Sequence, residues 1–416
     1  MRFMIKSPKS NFRVLWRRVA VALVATTLFA LAYGVASAQP GPRGPLGPPP
    51  GPRPGRGEVK RVPSERYYAG TALIESGQFS SAIRFYNSEI KDAVKIGPSL
   101  WIDSICYYAM LGETYYQAGD LDSALKNFNS SLTLAMAFPN WMAKVTYVEG
   151  VSGREKGATP WGVSRRATPI GVFPSKATII IGEGETQATR QLGIVAEQHA
   201  MAIDPIEILR CIALSIRRRV DIIGPLAPYD PMSTEILETF RTRAVAPNHW
   251  SIVFLDVIWG LALEECDKTQ SAVKALNEAL LAMGRFDHQL TGDALLELGH
   301  IFLKVDKVRE AAQCYYEAAH SAWQFGDRLL LEEALRRYSN CSKALRGGAA
   351  DPALVGAYRW SKTQRGCVLL QTSLALELLE DMIYSGRIPQ AKSGLSALQA
   401  SMRGEVRNTI HADRWN

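Results

Sequence analysis

The residue types able to do chemistry are scattered through this sequence rather than gathered into a motif. The histidines at 199, 249, 288, 300, 320 and 411 share no short ligand spacing, so no metal centre is expected. Gly153-Arg154-Glu155-Lys156-Gly157 has neither the spacing nor the Lys followed by Ser or Thr of a phosphate loop, and no nucleotide or other cofactor is expected. There is no Gly-x-Ser-x-Gly elbow and no His-Glu-x-x-His pair. Glu264 and Glu265 are adjacent carboxylates, but neighbours on a helix face different ways, and they read as solvated surface. Carboxylates distant in the chain can still meet in space, which leaves a hydrolase or glycan-active protein as an alternative; the favoured reading is that the chain is not an enzyme. Cysteines at 106, 211, 266, 314, 341 and 367 read mostly as small buried hydrophobes, with at most one bridge, between Cys314 and Cys341. The remaining cluster is Arg154, Lys156, Trp161, Arg165 and Arg166, a mixture able to stack on a ring and hold an anion. For Trp161 the favoured role is packing, because a long loop needs an apolar anchor.

The elements that would position these residues are set by internal repeats. Gly70, Gly77, Phe79, Ala82 and Tyr86 return, shifted by 42, as Gly112, Gly119, Leu121, Ala124 and Phe128. Downstream, Gly260, Leu263, Ala272, Leu276 and Ala279 return, shifted by 39, as Gly299, Phe302, Ala311, Tyr315 and Ala318. The early glycine lets two antiparallel helices approach, and the later Ala admits a neighbouring helix. Gly77, Gly119 and Gly386 sit where a first helix must stop, a place taken by Asp267 and Asp306 in other units. Residues 329–365 are expected to form a further, worn helical pair.

Leu111-Gly112, Tyr115, Gly119, Ala124 and Phe128, with Leu298-Gly299, Phe302, Ala311, Tyr315 and Ala318, resemble tetratricopeptide repeats. The resemblance covers about residues 64–136 and 250–400 and implies an all-α solenoid of stacked helical hairpins. It also implies a groove lined by the outward face of each first helix. On those faces stand Glu113, Tyr116 and Gln117, then Leu261 and Glu264, then His300 and Lys304. This mixed chemistry suggests a protein or peptide partner, and the two glutamates disfavour the family's pocket for a terminal carboxylate. Arg154, Trp161 and Arg165 of the intervening stretch complete the candidate binding residues.

That stretch breaks the helical pattern with Pro139, Pro160, Pro169 and Pro174 and the β-prone run Ala177 to Ile181, and is expected to be an irregular insertion containing a loop or small β-hairpin. Helices are expected again from near Gln187, with Asp204-Pro205 as the start of one closed by Arg217-Arg218-Arg219, whose charges would offset the helix dipole.

The formal charge of +8 is misleading. Residues 1–57 hold nine Lys or Arg and no acid, so the rest of the chain is near neutral and a nucleic-acid partner is not expected. The N-terminus reads as a secretory signal: basic residues, an apolar run from Val19 to Tyr33, then Ala36-Ser37-Ala38 before Gln39. An uncleaved anchor is the alternative, and membrane contact is expected through that segment alone. The expected organisation is a signal or anchor at 1–38, a Pro/Gly-rich linker at 39–60, repeats at 61–137, the insertion at 138–187, intermediate helices at 188–246, repeats at 247–402 and a polar tail at 403–416. The expected role is a non-enzymatic scaffold, periplasmic, in the cell envelope or secreted, holding a protein or peptide through the groove, the insertion or both. A self-assembling structural envelope component is the remaining alternative.

Overall fold

The computed structural model describes residues 61–96, 98–147, 150–174, 177–182, 198–245, 249–346 and 351–401. The signal or anchor, the linker and the polar tail lie outside the described residues. The chain is an all-α solenoid of helical hairpins with a small, partly β insertion. The strand β1 (Arg61–Val62) precedes α1 (Tyr67–Glu75) and α2 (Phe79–Lys91), and a short ribbon of β2 (Lys95–Ile96) and β3 (Ser99–Leu100) leads into α3 (Asp103–Ala118) and α4 (Leu121–Ala137). The insertion carries β4 (Val145–Tyr147), β5 (Ser152–Arg154), β6 (Ile170–Val172), β7 (Ala177–Gly182) and β8 (Gln198–Ile203). There follow α5 (Pro205–Ile223), α6 (Pro231–Arg241), α7 (Ile252–Glu265), α8 (Thr269–Glu278), α9 (Thr291–Lys304), α10 (Val308–Phe325), α11 (Arg328–Arg346), α12 (Pro352–Ser361), α13 (Val368–Tyr384) and α14 (Ile388–Ser401).

The repeated glycines act through close approach. A Cβ at Gly112 would lie 2.8 Å from the Phe128 ring, and one at Gly299 would lie 2.5 Å from the Tyr315 ring. In each unit the glycine of the first helix thus receives the large side chain sixteen residues on, from the second helix, and Gly70 with Tyr86 and Gly260 with Leu276 repeat the arrangement. The turns agree with their residue types: Gly77, Gly119, Asp267, Asp306 and Gly386 all have positive φ. Residues 329–365 are helical, as α11 and α12, but these two do not pair with each other: α11 packs on α10 and α13, and α12 packs on α13.

A four-stranded sheet of order β1-β8-β7-β4 packs against these hairpins. β1 runs parallel to β8, with Val62 opposite Ile203; β7 is antiparallel to both β8 and β4, with Ile179 opposite Met201 and Val145. Along β7, Ala177 and Ile179 are buried while Ile180 is exposed, the alternation of a sheet with one covered face. Strand β8 occupies part of the span 188–246 expected to be helical. Its residues Gln198 to Ile203 have no strong strand preference, and pairing with the β-prone β7 overrides them.

Within the core, His288 lies against Phe254, with ring centroids 4.7 Å apart. Its Nε2 is 2.7 Å from the Ala279 carbonyl oxygen and its Nδ1 is 3.3 Å from the Leu290 amide nitrogen. The second contact needs Nδ1 as an acceptor, so the ring is neutral with its proton on Nε2. Burial pushes its pKa down to about 4. As pH falls below the ordinary histidine value, the unfolded chain takes up this proton first, so this contribution to stability is full above about pH 6.5 and is lost toward about pH 4. At pH 5 the loss is roughly 2 kcal/mol. Asp293, pushed up to about 6 by burial despite Arg217, acts in the opposite sense and gains stability as pH falls. The check therefore compares urea midpoints of the wild type and His288→Gln at pH 7.5 and 5. The wild type should lose about 2 kcal/mol of its advantage over the variant, and an unchanged difference would mean that His288 is not held neutral.

Candidate functional site

The groove expected between the first helices is occupied by the chain's own α5. Asp204 caps this helix by accepting from the Glu207 amide, with Pro205 at its first position, and no residue from 205 to 223 is exposed. A helix covered on every side lies inside its neighbours. It packs on α3, α4 and α7, and its arginines reach acids on four helices, α3, α7, α9 and α11. Arg217 meets Asp293 and Glu333, each at 2.9 Å. Arg218 grips Glu113 with two nitrogens, at 2.7 and 3.0 Å, meets Glu333 at 2.9 Å and lies over the Tyr116 ring. Arg219 pairs with Glu265 and Asp230. Burial alone would push the Arg218 guanidinium down, but Glu113 and Glu333 hold it well above its ordinary value.

Several sequence expectations are corrected by this helix. Arg217-Arg218-Arg219 do not close it, because it continues to Ile223, and they are buried ion-pair partners rather than dipole-compensating surface charges. Glu264 and Glu265 are buried, the first paired with Lys304 and the second with Arg219. Glu113, Tyr116, Gln117, Leu261 and Glu264 are covered and cannot line an open groove. His300 stands 3.4 Å from Glu297 and against Tyr315, and Lys304 is taken up by Glu264. Cys314 and Cys341 are both free, so the expected bridge is absent.

An open cleft lies elsewhere, where the insertion crosses the later hairpins. Residues 150–174 form a strap held at four places. Trp161 is 6% exposed and packs edge-on against Trp323 and Trp360, with ring centroids 6.2 and 5.8 Å away. The Gln324 side chain donates to the Gly157 carbonyl and accepts from its amide, while Arg154 donates to the Gln324 carbonyl at 2.7 Å. Asp287 receives Lys156 and Arg166, both at 2.7 Å, and the Thr168 hydroxyl at 2.9 Å. Glu317 accepts the Arg165 amide at 2.7 Å and the Ser164 hydroxyl. Gly162 lets the strap close on the hairpin, since a Cβ there would meet the Tyr316 hydroxyl.

Between the strap and the helices is a cleft of about 720 Å³, a size suited to a drug-sized ligand or a short stretch of peptide. Val163, Arg165 and Arg166 form its strap side; Arg309, Ala312, Gln313, Tyr316 and Glu317 line it from one face of α10. Tyr338, Ser342, Leu345 and Arg346 line it from α11, and Asp351, Pro352 and Ala353 from the start of α12. Its carboxylates are engaged. Asp351 caps α12 through the Ala353 amide and accepts the Tyr338 and Ser342 hydroxyls at 2.8 and 2.7 Å, with Arg346 at 3.6 Å. Val163 is 80% exposed and Leu345 is 48% exposed, so the rim is apolar as well as cationic.

Of the candidate binding residues, only Arg165 lines this cleft. Arg154 and Trp161 hold the strap in place. Sequence reasoning missed Arg309, Tyr316, Tyr338 and Arg346. A signal for Tyr316 was present: it follows Tyr315, whose ring fills the inter-helix space, so it must turn toward another face of α10.

No protein-family model matches this chain, and none of the curated proteins does. Among solved structures it is similar to one described as the crystal structure of a Rap protein complexed with Competence and Sporulation Factor, with a TM-score of 0.40 and 12% identity over 84% of this chain and 75% of that one.

Proposed function

We propose that the chain is a non-enzymatic scaffold of an exported, cell-envelope setting that binds a segment of another polypeptide in the cleft between the strap and α10 to α12. The observation that carries this reading is the cleft itself: an open volume of about 720 Å³ with apolar rim, tyrosines and arginines, held by a strap that is anchored independently. With α5 in the groove, the space that a helical solenoid ordinarily offers a peptide is taken. The engaged state of Glu317 and Asp351 speaks against acid–base work, because each already accepts several hydrogen bonds as a carboxylate. The exported setting rests on the N-terminal leader.

Selection from a random linear-peptide display library tests this. The wild type should enrich a recognisable sequence group, and the recovered peptides should be intact by mass spectrometry. Val163→Glu with Leu345→Glu should weaken those peptides roughly tenfold or more, as expected for charging an apolar seat, while both changes fall on exposed side chains and leave the fold in place. Absence of enrichment, equal binding by the variant, or cleaved peptides would each overturn the reading.

A further inference from the structure

We infer, on the basis of the peptide-binding reading above, that the cleft selects a segment carrying an acidic side chain beside an apolar one, the carboxylate taken by Arg165 and Arg309. The argument is one of charges already spent and charges left over. Arg166 is committed to Asp287 together with Lys156. Arg346 lies 3.6 Å from Asp351, a carboxylate already receiving two hydroxyls and an amide. Arg165 gives only its backbone amide to Glu317, and its guanidinium is exposed. Arg309, in the first turn of α10, is exposed as well. Among the described residues no carboxylate lies within ion-pairing distance of either guanidinium.

Placement adds to this. Near a helix N-terminus an acid is favoured and a cation is not, so Arg309 in the first turn of α10 is a charge the helix itself does not call for. The nearby wall supplies what an apolar neighbour of the acid would need, with Tyr316, Tyr338, Val163 and Leu345 around one volume. A polyanion fits poorly: Glu317 and Asp351 lie in the same wall and would repel a run of phosphates, and two guanidiniums match one carboxylate rather than a backbone track.

The test uses the full chain and the best peptide from the library selection, synthesised with its acid, with Asp→Asn or Glu→Gln at that position, and with a free or amidated C-terminus. Fluorescence anisotropy should show a loss on the order of tenfold for the amide peptide, and a similar loss for each of Arg165→Gln and Arg309→Gln against the acidic peptide. Binding should weaken with added salt. The double variant Arg165→Glu with Arg309→Glu should prefer a peptide with Lys in place of the acid, a gain that a merely misfolded cleft would not give. Peptides that bind equally with acid or amide, and equally to wild type and the Arg→Gln variants, would overturn this inference and leave the peptide-binding reading standing. Dependence on the free C-terminus alone, or tighter binding of a random-sequence oligonucleotide, would also overturn it. Failure of the library to yield any peptide would instead count against the reading on which it rests.

Discussion

Replacing Arg218 with Met should lower the stability of the folded chain by about 3–5 kcal/mol, the range seen when one partner of a buried ion pair is removed. Arg218 is 1% exposed, and with Arg219 it is among the bulkiest fully buried side chains of the described residues. Its loss would leave Glu113 with the Gln117 amide as its remaining hydrogen-bond donor, 2.7 Å away. Glu333 would keep Arg217, with Arg337 more distant at 3.8 Å. The damage should therefore concentrate on Glu113. That gives a second, sharper expectation: adding Glu113→Gln to Arg218→Met should recover a large part of the loss, because the stranded charge is gone. Lysine at 218 should rescue little, since a single ammonium cannot span both Glu113 oxygens and reach Glu333. Urea midpoints with unchanged slope would check the series. A loss below about 1 kcal/mol for Arg218→Met would show that α5 is not locked into the hairpins by this network.

The same network explains why the groove could not be read from the sequence while the hairpins could. The hairpin signals are local. Gly112 and Phe128 sit sixteen positions apart in one unit, Gly119 ends a helix within that unit, and each recurs at a fixed shift, so one chain segment carries its own evidence. What fills the groove is a helix from outside the repeats, brought in by contacts between residues some hundred positions apart, such as Arg218 with Glu113 and with Glu333. Nothing local in Arg217-Arg218-Arg219 distinguishes a helix terminus from a buried ion-pair centre. The partner side gave no clearer signal: Glu113 read as groove-facing and Glu265 as solvated surface, and the burial of these acids with Asp293 and Glu333 follows only once α5 is in place, since buried acids require cations from somewhere. Strand β8 was illegible for a similar reason, its conformation being fixed by β7 rather than by its own residues.

The cleft illustrates the converse. Arg165 was legible as a binding residue because it stands in a long insertion among charges and a tryptophan, yet its companions Arg309 and Tyr316 belong to a repeat helix whose pattern accounts for its other face. A repeat position says where a side chain points relative to its own hairpin. It does not say that an insertion will cross that face and turn solvated residues into the wall of a cleft.

Truncating Trp161 to Ala should cost about 3–5 kcal/mol, the range for removing a large buried aromatic side chain, and should free the strap before the hairpins unfold. The indole fills the space between Trp323, Trp360 and His320. Its N–H finds no acceptor among the described residues, so its contribution is packing rather than hydrogen bonding. Trp161→Phe should therefore lose much less than Trp161→Ala, a contrast that a hydrogen-bonding role would not give. Detachment has a local readout. Arg165 and Arg166 are trypsin sites four and five residues beyond the anchor, and Arg166 is now protected by Asp287 and the fold around it. In Trp161→Ala, nicking there should rise under native conditions, ahead of the global urea transition, as a sub-global opening requires. Because Glu317 holds Ser164 and Arg165 separately, the strap should loosen from the Trp161 side first, and peptide binding in the cleft should weaken even where the hairpins remain folded. If the Ala variant kept both its midpoint and its resistance to trypsin, Trp161 would not be the anchor, and the cleft would owe its shape to Asp287, Gln324 and Glu317.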